Sequence, residues 1–171
     1  MAANSDPSSD GSDSKHIVIK VEPAVVNISP LGFHRYASEF YEAARSLQRP
    51  ENYSPVHYYL YCRSLELALK AYLLAKGISK KKLKNKFRHD LKKTLRKAES
   101  LGLGDEVSLS DEQRDHLALA NAHYKSKAFE YFEVSTLVSQ MKGQHNLPDL
   151  DVLESLSGSL LKGIRQTCIE A

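Results

Sequence analysis

The sequence predicts an all-α fold, an antiparallel up-and-down bundle of about five helices, and three observations lead there. Apolar residues recur at spacings of three and four along most of the chain. Capping and stop residues bracket those stretches. Period-two alternation occurs only in one short stretch near the start, so no sheet is expected. The 171-residue length suits one domain, and 42% hydrophobic with 26% charged residues is an ordinary globular composition. Eight Gly and six Pro are too few for a collagen-like or wholly disordered chain.

Residues 1–27 are expected to form a flexible tail and arm, and residues 28–171 the bundle. The first 14 residues hold five Ser, three Asp and one Pro and no aromatic residue, so they offer little apolar area to offset chain ordering. Ile17, Ile19 and Val21 then alternate until Pro23. Ser29-Pro30 is an N-cap followed by proline, and Phe33, Tyr36, Ala37, Phe40, Tyr41, Ala44 and Leu47 follow at helical spacing, ending before Pro50. Ser54-Pro55 repeats the start signal for a second helix, which Gly77 stops. Leu83, Phe87, Leu91, Leu95, Ala98 and Leu101 carry a third stretch to Gly102, with a break suggested near Arg88. Ser110 with Gln113 is a capping-box pattern for a fourth helix. Pro148 is expected to start a fifth, striped by Leu150, Leu153, Leu156, Leu160, Leu161, Ile164 and Cys168, with Gly158 and Gly163 weakening its continuity. The stretch from Tyr124 to Asn146 fits a ragged helix end or an ordered loop equally well.

Several function classes drop out. Cys62 and Cys168 are 106 positions apart, which excludes a disulfide scaffold and a Cys-x-x-Cys pair and points to a reducing, cytoplasmic location. No basic patch followed by an apolar stretch opens the chain, so no secretory signal is expected. The most apolar window, residues 58–75, contains Arg63, Glu66 and Lys70, and no membrane partner is expected. His116 and His123 lack the spacing and third ligand of a zinc helix, and no glycine-rich phosphate loop or Gly-x-Ser-x-Gly elbow occurs. The expectation is no metal and no cofactor.

Charge is concentrated in one place. Residues 76–97 hold 11 Lys or Arg against one acid, a local +10 in a chain whose total is only +3. A basic face of that kind suits RNA, another polyanion or an acidic protein partner. A continuous helix that turned Leu83, Phe87, Leu91 and Leu95 inward would leave Lys82, Lys86, Lys92, Lys93 and Arg96 outward. In the second helix, Tyr59, Arg63, Glu66 and Lys70 fall within about 60° of one another while apolar residues cover most of the rest. Such a helix belongs at the bundle centre, and its polar stripe must meet water, a partner helix or a ligand, the plainest reading being a salt-bridged solvent edge with Glu66 and Lys70 in the favourable i, i+4 order.

Tyr58-Tyr59-Leu60 leading into Ser64-Leu65-Glu66-Leu67-Ala68-Leu69-Lys70-Ala71-Tyr72-Leu73-Leu74, then His89-Asp90-Leu91-Lys92-Lys93, then Tyr124 to Tyr131, resembles the HEPN domain family, named for higher eukaryotes and prokaryotes nucleotide-binding. The resemblance covers residues 58–131. It implies a helical bundle, often paired as a homodimer. It also implies a possible metal-independent ribonuclease, whose members use an Arg followed, after four to six residues, by a His. This chain departs from that pattern. Arg114 and His123 have eight residues between them and lie on opposite helix faces, and Arg88 and His89 are adjacent.

Two further groups carry chemistry. In Arg88-His89-Asp90 the carboxylate could orient the His, but Asp90 reads better as the cap of a helix restarting at Leu91. Tyr124, Lys125, Lys127 and Tyr131 combine cations with rings that could contact phosphate and stack on bases, although seven-residue spacing is also core spacing. The expected function is RNA or polyanion binding through Lys82, Lys86, Arg88, Lys92, Lys93, Arg96, Tyr124, Lys125, Lys127 and Tyr131, without catalysis. The alternatives are a ribonuclease toxin or defence effector with a displaced catalytic set, and an interaction module docking on an acidic partner.

Overall fold

A computed structural model describes residues 29–49, 51, 53–131 and 147–171, and every regular element among them is helical. The arm at Ile17 to Val21 and residues 132–146 lie outside the described residues. Helix α1, Pro30–Ser46, opens as its sequence dictates: Ser29 Oγ accepts from the Gly32 N–H at 3.1 Å. It packs most extensively against α2, Pro55–Ala75. Small residues allow close approach. Ala37 and Ala44 of α1 are buried, and Ser64 Oγ on α2 donates to the Ala37 carbonyl at 2.8 Å.

Helix α2 is the bundle axis. Tyr61, Leu73 and Ala71 are wholly buried on different sides of it, which is what apolar residues around most of a helix require. It ends in a Schellman motif, with Gly77 at φ 81°, the Gly77 N–H on the Leu74 carbonyl and the Ile78 N–H on the Leu73 carbonyl.

The third helical stretch is broken near Arg88, where the sequence suggests a break. A short α3, Lys80–Lys82, runs into a π-helical turn, Leu83–Phe87, and the chain reverses before α4, Leu91–Glu99. The reversal is a tight turn from Phe87 to Asp90, closed by the Asp90 N–H on the Phe87 carbonyl at 2.9 Å. Asp90 caps α4, accepting from the Lys93 N–H at 3.0 Å. Leu83, Phe87, Leu91 and Leu95 are nevertheless all buried, so the apolar spacing survives the break.

A single turn, α5 (Leu103–Glu106), follows Gly102, and α6 (Asp111–Lys125) begins with the expected capping box between Ser110 and Gln113. Helix α7, Leu150–Gly163, starts two residues after Pro148, because the Asp149 carboxylate caps the Asp151 and Val152 N–H groups. Gly158 does not interrupt α7; Tyr41 packs where its β-carbon would be. Gly163 ends it where Val107 and the Glu106 backbone press close, and α8 (Arg165–Glu170) follows. Helices α4, α6, α7 and α8 all pack on α2. Among the described residues no helix is long and apolar enough to cross a membrane.

Candidate functional site

Within the polar stripe of α2, Glu66 and Lys70 face inward, while Tyr59 and Arg63 are half-buried. Glu66 is 1% exposed and Lys70 9%, which overturns the reading of a salt-bridged solvent edge. The reason is that donors arrive from distant segments. Glu66 accepts from the Lys70 ammonium one turn on, from Arg63 Nη1 at 3.1 Å, from His89 Nδ1 at 3.1 Å and from the Tyr124 hydroxyl. A buried carboxylate with four donors has its lone pairs satisfied, the condition under which burying a charge is tolerable.

The electrostatics follow from that geometry. Burial pushes the Glu66 carboxyl up, but the Lys70 charge and the hydrogen bonds from Lys70 and Tyr124, with Arg63, outweigh it and hold the group below its ordinary value. Burial first, and then the Glu66 charge, push the Tyr124 hydroxyl far above its ordinary value, so it stays a donor. The Lys70 ammonium also donates to the Arg88 carbonyl at 2.6 Å, tying α2 to the tight turn. The Tyr59 ring is tilted against Tyr124 at 6.2 Å, so all four stripe residues join one cluster.

Above this cluster opens a cleft of about 630 Å³. Its walls carry six cations, Arg63, Lys70, Lys80, Lys84, Arg88 and Lys127, together with His89 and the single carboxylate of Glu66. Phe33, Leu67 and Leu83 add an apolar side. Low-dielectric walls lined by one sign of charge focus the field and attract anions. The cleft therefore has the charge to attract an anion.

The expected site residues divide between the cleft and its surroundings. Arg88, His89, Lys127, Arg63, Glu66 and Lys70 come together. Lys82 and Lys86 are exposed on the same basic segment but do not line the cleft, and Lys92, Lys93 and Arg96 are exposed on α4, with Lys93 lying over the Phe87 ring at 5.9 Å. Lys125 pairs with Asp90 at 2.8 Å, and Tyr131 is exposed beyond the end of α6. Tyr124 is corrected: it is 1% exposed with its hydroxyl on Glu66, so its ring is a wall of the core and is not presented to a base.

His89 is oriented by Glu66, across 23 positions, while its neighbour Asp90 caps α4. Arg114 is paired with Glu99 and His123 lies against the Phe129 ring at 5.5 Å, so the structure keeps that pair apart. Lys80, Lys84 and Phe33 are cleft residues that the sequence reading missed. The available signal was the spacing of four between Lys80 and Lys84 inside the basic segment, which places them on one face. Among the described residues no group of three or more His, Cys, Asp or Glu could hold a metal ion.

Comparison with curated proteins and with solved structures finds no match. Comparison with protein families matches the HEPN domain over residues 33–141, more than half of the chain and the span that contains α2, the tight turn and α6. This chain belongs to the HEPN domain family.

Proposed function

We propose that the chain binds RNA, or another polyanion, through the cationic cleft and does not cleave it. The observation that carries this reading is the gathering of six cations around one buried, fully donated carboxylate. Membership of the HEPN family supports a nucleic-acid ligand. The exposed Lys92, Lys93 and Arg96 on α4 would extend the basic track beyond the cleft, and Lys82, Lys86 and Lys125 would contribute charge around it. A homodimer and a cytoplasmic location belong to the same proposal.

A second reading has one specific observation in its favour. His89 has its side chain 41% exposed, with Nδ1 on Glu66, so Nε2 is the nitrogen left to accept a proton, and the ring shares a cleft with Arg88 and Arg63. That is how a carboxylate orients a histidine base, and it suits a ribonuclease with a displaced catalytic set. One experiment separates the two readings: titration of purified protein against labelled single-stranded RNA across salt, followed by incubation of the same RNA. Salt-sensitive binding with intact RNA is the expected result. Cleavage that His89→Ala abolishes would establish the enzyme instead, and absence of binding at low salt would favour an acidic protein partner.

A further inference from the structure

Among the described residues two that are not glycine have positive φ, Arg88 at 47° and Lys127 at 63°. Both are basic, and both line the same cleft. Left-handed backbone is disfavoured for residues with a β-carbon, so it is ordinarily given to glycine. Residues held there concentrate at functional sites.

Each position is one where the local architecture calls for glycine. Arg88 has φ 47° and ψ −117°, the conformation of the first central residue of a type II′ turn, and the Asp90 N–H on the Phe87 carbonyl closes that turn. Lys127 follows the end of α6 in a Schellman motif, with its own N–H on the Tyr124 carbonyl and the Ala128 N–H on the His123 carbonyl. Helix α2 ends in the same motif, and there the chain uses Gly77. One chain thus closes one geometry with glycine away from the cleft and with lysine beside it.

The surroundings hold these backbones in place and leave the cations available. The Arg88 carbonyl is gripped by Lys70, which is itself anchored on Glu66. The Arg88 side chain has no hydrogen bond or ion pair among the described residues. Among the described residues Lys127 reaches only Glu130, at 3.9 Å, with both side chains partly exposed, a weak contact in water.

We propose that Arg88 and Lys127 are the phosphate-contacting residues that decide ligand affinity in this cleft, each aimed into it by a backbone conformation that glycine would adopt with less strain. The proposal deepens the RNA-binding reading and rests on it. Holding the two cations in advance removes ordering that the ligand would otherwise have to impose.

The test uses the full chain, a fluorescein-labelled single-stranded RNA and two double variants. Arg88→Gly with Lys127→Gly removes both cations while relaxing both backbones, so the melting temperature should stay level or rise by a few degrees. Its affinity should fall about tenfold or more at low salt, and its double-logarithmic salt slope should flatten by about 1.4, the share of two contacts on a single strand. Arg88→Lys with Lys127→Arg keeps both charges and should restore the slope. A glycine variant that binds like the unsubstituted protein would overturn the proposal while leaving the RNA-binding reading intact. A glycine variant that melts many degrees lower would overturn it too, since these side chains would then be serving the fold. An unsubstituted protein that binds no RNA at low salt would overturn both.

Discussion

The Tyr124 hydroxyl donates to the Glu66 carboxylate across 58 positions of sequence, and this bond joins the end of α6 to the middle of α2. With Lys70, Arg63 and His89 on the same carboxylate, Glu66 connects three segments that share no local sequence relationship. Replacing it with Gln keeps the shape but leaves the Lys70 ammonium, almost as buried, without its counter-charge. Breaking a buried pair from one side costs about 3–5 kcal/mol. Urea denaturation of Glu66→Gln should show a loss of that size, and a loss below about 1 kcal/mol would mean the cluster is far better solvated than its burial indicates.

The same carboxylate sets an acid limit. Its value in the folded protein lies below the ordinary 4.5, so the unfolded chain takes up the proton first as pH falls. Its stabilising contribution is therefore complete above 4.5 and is lost progressively as pH drops below that, through the lowered folded value. Thermal melts between neutral pH and pH 3 should be flat at the upper end and fall at the lower, and Glu66→Gln should remove part of the fall. Identical acid profiles for the two proteins would count against the assigned charge state of Glu66.

The two glycines of α7 make a contrast in packing. A β-carbon on Gly163 would stand 2.3 Å from Val107 Cγ2 and 2.8 Å from the Glu106 carbonyl oxygen, and backbone cannot easily give way. One on Gly158 would meet mainly the Tyr41 hydroxyl at 2.8 Å, the far end of a side chain that can swing aside. Gly163→Ala should cost about 1–3 kcal/mol by overpacking, whereas Gly158→Ala should come out near neutral, because helix propensity offsets a small shift of the ring. Calorimetry on the two variants checks the order, and a reversed order would contradict the packing of α7.

Much of the fold was legible because its signals are local. Ser29-Pro30, the Ser110-Gln113 box and Asp90 each act within three residues, so a sequence reading can find them. The apolar circumference of α2 likewise announces a central helix. The polar stripe was found but its direction was not, because the donors that make burial tolerable come from His89 and Tyr124, far along the chain. The break near Arg88 was suggested, but the tight turn that makes it was not, since an arginine occupies the glycine position. Lys80, Lys84 and Phe33 become one wall only after α1, α2 and the π-helical turn have packed.

The central claim is that the cleft's cations contact RNA phosphates, and the salt dependence of binding tests it most directly. Affinity for single-stranded RNA should fall with a double-logarithmic slope of about 0.7 per phosphate contact. Replacing Lys80, Lys84 and Arg88 together by Gln should flatten the slope by about two and weaken binding, while the fold survives because these side chains are exposed. Replacing Lys92, Lys93 and Arg96 on α4 should have a smaller effect, since these residues do not line the cleft. An unchanged slope in the Lys80, Lys84 and Arg88 variant, or no binding by the unsubstituted protein at low salt, would contradict the claim.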